Sequence, residues 1–304
     1  MTKWLITGTT GFLGRHFVQI CGDHPEIKTI FVSRMRDDFS SRLNHGCIYG
    51  DFNSKPFWDE LIAFHQPDVI INLAGATPPA FDETLWDANF NWIPGMLEAV
   101  NGSTIPIKIV HAGSAAEIGE VPLMMLPVDE NYDPQPVTAY GRSKLAATQA
   151  ILSANLKVNP VVARLFNLCG PGQGLAQAWG RYANELFRNK SEEKIVLKSF
   201  GLENRRDFID IRDAANAIFR LADLSHTSGI YHIGRGSSIS IGDGLKHLIA
   251  LSQLNVEILN ENQMIQSSGP SDSVADNRRI VNETGWEPKI SVEQSLTDLW
   301  RSIH

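Results

Sequence analysis

Tyr140 and Lys144 are the residues of this chain whose types and spacing best suit proton transfer. They stand four positions apart, and the apolar-periodic run 145–152 that follows predicts a helix carrying both on one face. An ammonium group stabilises a nearby phenolate, so we expect Lys144 to lower the pKa of Tyr140 and make it an acid or base near neutral pH. Pairs with this spacing also occur on helix surfaces. The prediction therefore requires a cofactor site and a second polar group elsewhere in the chain.

Ser114 is the candidate for that second polar group. It follows the apolar run 107–111, which predicts a strand. Ligands of parallel sheets bind at the carboxyl ends of strands, so we expect Ser114 to hydrogen-bond a substrate oxygen. The alternative is an ordinary turn serine. Ser114, Tyr140 and Lys144 together form the predicted catalytic set.

The predicted cofactor site begins at the start of the chain. Residues 3–7 form an apolar run, followed by Gly8, Gly11 and Gly14 in the pattern G-x-x-G-x-x-G and by a helical pattern through Cys21. Strand, glycine turn and helix are the context that a dinucleotide fingerprint requires. Gly8 and Gly11 let the backbone approach a pyrophosphate at the helix N-terminus, and Gly14 permits close packing of helix on strand. The intervening positions predicted to contact the cofactor are Thr10, Phe12 and Leu13.

The end of the second predicted strand, residues 28–33, indicates which dinucleotide binds. An acidic residue at this point would bind the ribose diol of NAD, but the chain has Ser33 and Arg34. A hydroxyl and a guanidinium suit a 2′-phosphate, so we expect NADP(H) to be preferred over NAD(H); the alternative is a solvated basic loop. Asp51 and Phe52, after a third strand, are predicted to flank the adenine. The positions that end the next strand and bring backbone towards the cofactor are Leu73, Ala74 and Gly75.

The regular alternation of apolar runs and helical patterns predicts an α/β fold with a parallel doubly wound sheet. In the first half the predicted strands are 3–7, 28–33, 47–50, 69–73 and 107–111, and helices follow at 54–64 and 81–100. In the second half the predicted strands are 161–166, 195–198 and 230–233, the helices are 174–189, 211–224, 240–251 and 292–303, and 266–273 is a loop.

Composition limits the function classes open to this chain. Its 304 residues are 43% hydrophobic and 20% charged, which is typical of a soluble globular protein with a large core. The net charge of −7 argues against general affinity for nucleic acid or an anionic membrane. Cys21, Cys47 and Cys169 are far apart, have no metal-ligand spacing, and are predicted to be buried thiols. Without an apolar run of about 18 residues or a signal-peptide pattern at Met1, we expect a cytoplasmic protein with no membrane segment.

Taken in order, the motifs resemble those of the extended short-chain dehydrogenase/reductases, the family of nucleotide-sugar epimerases, dehydratases and reductases. The matching positions are 8–14, 51, 73–75, 89, 114, 140–144, 164–167, 170–172, 206–213 and 284–288. The resemblance implies a Rossmann domain of residues 1–166 plus about 207–234. It also implies a smaller C-terminal α/β substrate-binding domain of about 167–206 plus 235–304, a Ser/Tyr/Lys active site, a nucleotide-diphosphate sugar as substrate, and a homodimer.

Residues 201–210 resemble the corresponding run of GDP-4-keto-6-deoxymannose reductases. By that likeness Asn167 and Arg206 would hold the substrate diphosphate. In the wider family the loop equivalent to 266–273 often closes over the nucleotide, which implies that Asp272 or Arg279 would touch it. A guanidinium is a natural partner for a diphosphate. The alternative is a salt bridge from Arg206 to a neighbouring carboxylate, either Asp207 or Asp210.

The chain departs from the family pattern at three places. Ile118 replaces a tyrosine that often precedes the glycine at 119, Asn72 replaces a common histidine, and residues 92–93 replace a Gly-Thr pair. These departures concern the shape of the pocket and the identity of the sugar, and leave the predicted chemistry unchanged.

The resemblance implies a reductase, in which a nicotinamide gives hydride to the 4-keto carbon of a nucleotide-linked 4-keto-6-deoxyhexose. Tyr140 would donate the proton, Lys144 would hold the nicotinamide ribose, and Ser114 would bind the oxygen. A 4-epimerase with bound NAD would use the same residues, although the predicted NADP site disfavours it. A dehydratase is disfavoured because related dehydratases carry carboxylates where this chain has Ala115 and Ala116. A non-catalytic NADP sensor is the remaining alternative, and it would not need the three catalytic residues.

Overall fold

The computed structural model describes residues 1–40, 46–260 and 271–303, so residues 266–270 of the predicted loop lie outside the described residues. The strands are β1 (Thr2–Thr7), β2 (Ile27–Ser33), β3 (Cys47–Tyr49), β4 (Val69–Asn72), β5 (Lys108–Ser114), β6 (Val161–Leu165), β7 (Asn167–Cys169), β8 (Ile195–Ser199), β9 (Arg205–Arg206), β10 (Phe208–Asp210), β11 (Gly229–Ile233), β12 (Ile239–Ser240) and β13 (Val256–Asn260). The helices are α1 (Phe12–Gly22), α2 (Lys55–His65), α3 (Asp82–Trp86), α4 (Ile93–Gly102), α5 (Ala139–Ser153), α6 (Ala178–Arg188), α7 (Ile211–Asp223), α8 (Ile241–Ser252), α9 (Arg278–Thr284) and α10 (Val292–Ser302).

The central feature of the described chain is a seven-stranded parallel sheet in the order β11-β6-β5-β4-β1-β2-β3. The chain runs outwards from β1 in one direction through β2 and β3, and in the other through β4, β5, β6 and β11. Strands β4 and β5 are buried along their whole length, which explains their long apolar runs. The predicted doubly wound Rossmann sheet is confirmed.

Helices cover both faces of the sheet. On one face α1 packs against α7 over a core that includes Phe17 and Ile218. On the other, α2, α4 and α5 lie over a core that includes Trp58 and Ile151. The carboxyl ends of β1, β4 and β5 therefore meet the N-termini of α1 and α5 at one edge, where a ligand site is expected.

The prediction of one continuous helix over 81–100 is wrong. The structure has α3, then a π-helical segment Asp87–Asn91, then α4. Pro94 lies in the first turn of α4, a position that suits its missing N–H, so it marks a new helix start. The wider π turn carries Asn89, which is buried. This interruption determines where the Asn89 side chain points.

A second, smaller group of elements follows β6. The parallel pair β8 and β13 packs with α6, α8 and α10 around Trp179, Tyr182 and Leu296. The Trp179 ring stacks on Phe208 at 3.6 Å between centroids, so these aromatic residues belong to a core. Helix α6 begins at Ala178, four residues later than predicted, because turns occupy the preceding segment. The elements that were not predicted are the short strands β7, β9, β10 and β12, strand β13 and helix α9.

The remaining sequence-based expectations concern membrane segments, the cysteines, the domain boundaries, the homodimer and the cellular location. No helix within the described ranges is long and apolar enough to cross a membrane. Cys21 and Cys169 are buried free thiols as predicted, whereas Cys47 is only partly buried. The domain boundaries, the homodimer and the cytoplasmic location stay predictions.

Candidate active site

Ser114 and Tyr140 meet at one end of a cavity of about 550 Å³. Ser114 is the last residue of β5, and Tyr140 lies in the first turn of α5, which Thr138 caps by accepting a hydrogen bond from Gly141 N at 3.0 Å. The Ser114 hydroxyl interacts with the Tyr140 phenol and favours a lower pKa for it. It also accepts a hydrogen bond from Ala116 N at 3.2 Å, which fixes its position. We call this part of the cavity, formed by Ser114 and Tyr140, the reaction end.

Lys144 is buried beside the reaction end, but its ammonium does not behave as predicted. Nζ donates to Ala112 O at 2.5 Å, so the charge is directed to the backbone of β5. Burial lowers the pKa of Lys144 to about 8, partly opposed by the carboxylate of Glu117. Burial also raises the pKa of Tyr140; the Ser114 hydroxyl opposes this shift, and the Glu117 carboxylate adds to it. The prediction that Lys144 lowers the Tyr140 pKa is therefore wrong for this structure.

Asn89 is a positioning residue to which the sequence analysis assigned no role. Its Oδ1 accepts from Ala76 N at 2.9 Å, and its Nδ2 donates to Ser143 Oγ at 3.0 Å. The side chain thus joins the loop after β4 to α5, next to Lys144. Its place in the family motif was the available signal, but the π turn that aims it inwards was not visible in the sequence.

The glycine loop forms a cradle that fits a dinucleotide. Gly8 has a φ of +73°, and a Cβ there would lie 2.3 Å from the Leu73 carbonyl carbon. A Cβ on Gly14 would lie 2.1 Å from Gly8 O, so α1 packs on β1 as closely as predicted. Gly11 is the N-cap of α1 and offers no side-chain cap, which leaves N–H groups of the first turn for an anion.

Most other candidate cofactor residues would act through their backbone. Leu13 is buried in the core beside α7, and Ala74 is buried after β4, next to the exposed Gly75. The Phe52 ring is 2% exposed and packs 5.1 Å from the Trp58 ring, so the predicted position of Phe52 beside the adenine would involve its backbone and stays a prediction. The remaining candidates with accessible surface are Thr10, Phe12 and Asp51.

Three arginines surround the end of β2, where a 2′-phosphate is expected. Arg34 is exposed directly after Ser33, whose hydroxyl donates to Met35 O at 2.9 Å. Arg36 lies over an aromatic ring, Tyr49, at 5.0 Å. Arg15, from α1, donates to the glycine loop at Thr10 O and lies over the Phe39 ring, so it belongs to the same surface. Arg15 was not predicted from the sequence, although its position in the first turns of the fingerprint helix was a signal.

We expect Arg34→Ala to raise the Michaelis constant for NADPH about tenfold and to leave that for NADH nearly unchanged. A hydrogen bond to a charged group contributes about 1.5 kcal/mol or more, which corresponds to roughly tenfold in affinity. Steady-state kinetics with both cofactors measures the effect, with Arg188→Ala on α6 as a control for loss of a surface charge. Equal changes for the two cofactors would show that Arg34 does not face the phosphate.

A second group of polar side chains lines the cavity and contains the predicted substrate residues Asn167, Arg206 and Asp272. We call it the polar group, and its members are Asn167, Gln177, Arg206, Asp272 and Ser273. Burial lowers the pKa of Arg206, and the nearby Asp272 opposes this shift. Asp272 Oδ1, Gln177 Oε1 and Ser273 Oγ are buried without a hydrogen-bond partner in the described part of the chain. Such atoms are candidates for bonds to a ligand; Gln177 and Ser273 were not predicted.

The structure does not contain the salt bridge considered as the alternative for Arg206, and it places Arg279 away from the cavity. Arg206 does not pair with Asp207, which instead accepts three backbone N–H groups, nor with Asp210, which binds Arg212. Arg279 does not approach the cavity. Its guanidinium donates to two backbone carbonyls at the start of β11, at the far edge of the sheet.

Many of the other side chains that line the cavity are apolar. The contributing side chains are Ala115, Ala116, Ile118, Val121, Leu126, Val128 and Phe166. Asn72, another departure from the family pattern, points away from these walls and bonds His111 Nδ1 at 2.9 Å within the sheet. The cavity therefore combines a proton donor, apolar walls and a polar group of side chains that includes one guanidinium and one carboxylate.

The fold and the site define an enzyme of the short-chain dehydrogenase/reductase type. A family model described as the NAD dependent epimerase/dehydratase family matches residues 4–234, and the chain belongs to that family. GDP-6-deoxy-D-mannose reductase of Pseudomonas aeruginosa is 27% identical over 305 residues, covering 97% of this chain and 95% of that protein. dTDP-6-deoxy-L-talose 4-dehydrogenase (NAD(P)(+)) of Kitasatospora kifunensis is 29% identical over 239 residues, covering 77% of this chain and 74% of its own.

Similarity extends to solved structures and to other activities. The structure of RMD from Pseudomonas aeruginosa complexed with NADPH has a TM-score of 0.84 at 24% identity and covers 100% of this chain and 99% of that chain. Proteins named as nucleotide-sugar epimerases also match this chain, at identities between 23% and 28%. The sequence comparisons therefore establish the family, but they do not decide between reductase and epimerase activity.

Proposed function

We propose that this enzyme uses NADPH to reduce the 4-keto group of a nucleotide-linked 4-keto-6-deoxyhexose. The observation that carries the proposal is the composition of the cavity. Its reaction end has a tyrosine and a serine hydroxyl in contact, and among the described lining residues the carboxylate, Asp272, belongs to the polar group. Such a site can protonate a carbonyl oxygen, whereas elimination requires a further acid or base at the reacting carbon.

The side chains at the reaction end have distinct tasks. Tyr140 holds the proton that the carbonyl oxygen takes up, and its raised pKa keeps that proton bound at neutral pH. Ser114 lies beside the phenol and stabilises charge that develops on the same oxygen. Lys144, held by Ala112 O, is the candidate to hold the nicotinamide ribose. When bound, NADPH supplies the hydride.

The rest of the cavity supports the proposed substrate class. Apolar walls suit the methyl group of a deoxysugar and offer few partners for hydroxyl groups. Arg206 and Asn167, in the polar group, suit a diphosphate. The named relatives that act on GDP-linked and dTDP-linked 6-deoxy sugars agree with this class.

Cofactor stoichiometry tests the proposal. We expect the purified protein to oxidise one NADPH for each nucleotide 4-keto-6-deoxyhexose supplied, because a reductase releases its oxidised cofactor after every turnover. Loss of the near-ultraviolet absorbance of NADPH, with product quantified by chromatography, gives the ratio. GDP- and dTDP-linked sugars should be compared in parallel.

Two outcomes would contradict the proposed reduction. An epimerase returns the hydride to its substrate, so protein that arrives with tightly bound NAD and interconverts UDP-glucose and UDP-galactose without added cofactor would be an epimerase. Protein that binds NADPH but turns over none of the 4-keto sugars would be the non-catalytic sensor. Tyr140→Phe, assayed in the same way, controls for contaminating reductases.

A further inference from the structure

A buried carboxylate lies directly behind the reaction end. Glu117 Oε1 accepts a hydrogen bond from Ser114 N at 2.7 Å, and Oε2 accepts one from Arg164 Nε at 3.1 Å. The side chains of Glu117 and Arg164 are 0% and 1% exposed. Glu117 therefore does not reach the cavity and is not available as an acid or base for a substrate.

The carboxylate belongs to a chain of contacts that reaches the cavity wall. Arg164 Nη1 lies 3.3 Å from His232 Nε2, and His232 Nδ1 lies 3.1 Å from Val128 O. Burial and the Arg164 charge lower the pKa of His232 to about 3, so its ring is neutral and Nδ1 donates to Val128. Within this series of contacts, Glu117 thus carries the negative charge and Arg164 the positive charge.

We propose that Glu117 is a positioning residue: its buried carboxylate, paired with Arg164, fixes the backbone of Ser114 and places a negative charge behind the reaction end. Arg164 keeps the carboxylate in place from the side away from the cavity. This inference rests on the proposed role of Tyr140 as the acid. It concerns the environment of Tyr140 in the protein without substrate, so it can be tested separately from the proposed reaction.

The sign of the electrostatic effect follows from the charges. A negative charge destabilises a phenolate and stabilises an ammonium, and Glu117 raises the pKa of both Tyr140 and Lys144. Removing it should lower both pKa values, so the basic limb of a pH–rate profile should move to lower pH. The other titratable or charged groups that face this region are His111 and Lys144 itself, the Arg164 and His232 pair, and Arg206 and Asp272, which line the same cavity.

The proposal can be tested without substrate, by titrating Tyr140 through phenolate absorbance. The chain has five tyrosines, so the Tyr140 signal is the difference between each protein and the same protein carrying Tyr140→Phe. We expect the Tyr140 midpoint to fall by about one unit in Glu117→Gln, the size of effect typical of a nearby charge. Because Glu117→Gln leaves Arg164 buried without its partner, Glu117→Gln/Arg164→Met is the second variant, and a downward shift is expected there too.

Glu117→Asp separates charge from geometry. It keeps the negative charge but is too short to reach Ser114 N and Arg164 together, so turnover should fall while the Tyr140 midpoint stays near the wild-type value. An unchanged Tyr140 midpoint in Glu117→Gln/Arg164→Met would overturn the proposal. A downward shift of the Tyr140 midpoint in Glu117→Asp as large as that in Glu117→Gln would also overturn it. The titration uses no sugar, so its result stands even if the proposed reductase activity is not found.

Discussion

Tyr140→Phe is expected to lower the turnover number by about 10²–10⁴-fold, the usual contribution of a general acid. The substitution removes only the hydroxyl that Ser114 contacts at the reaction end. The NADPH dissociation constant should change little, because the glycine loop and Lys144 are untouched. Single-turnover kinetics measures the chemical step, and nucleotide fluorescence measures binding.

Tyr132→Phe is the matched control for this experiment. Its hydroxyl donates to Glu120 O at 3.1 Å, close to the same cavity, but does not line it. We expect near wild-type turnover from it. If Tyr140→Phe retained comparable turnover in a regime where hydride transfer is rate-limiting, shown by an isotope effect with deuterated NADPH, another group would be the acid.

Arg164→Met is expected to lower the free energy of unfolding by about 3–5 kcal/mol, the usual cost of breaking a buried ion pair. It leaves the Glu117 carboxylate buried without its cation and removes the hydrogen bond to His232. Glu117→Gln/Arg164→Met should recover much of the loss, because no unpaired charge remains. Chemical denaturation of the three proteins gives the comparison.

An exposed ion pair provides the control for Arg164→Met. Lys55 and Asp59 are 44% and 46% exposed, and pairs of this kind contribute roughly 0–1 kcal/mol. Lys55→Met should therefore have a small effect on unfolding. A loss for Arg164→Met no larger than that for Lys55→Met would mean that Glu117 is stabilised without the arginine.

The sequence determined the Rossmann sheet and the order of its motifs. Continuous apolar runs give buried strands whatever surrounds them, and the contact of Gly14 with Gly8 O is a local requirement of the turn between β1 and α1. The i, i+4 relation of Tyr140 and Lys144 likewise follows from helix geometry. These features depend on neighbours within a few residues, so periodicity alone was sufficient to predict them.

The tertiary structure decided what surrounds the reactive groups. Lys144 bonds the carbonyl of Ala112, 32 residues away, and Glu117 pairs with Arg164, 47 residues away. The direction of the Tyr140 pKa shift depends on burial and on that carboxylate, so the helical pair alone predicted it wrongly. Electrostatic environment arises from segments that are distant in sequence and adjacent in the fold, and local spacing contains no information about which charges those segments bring together.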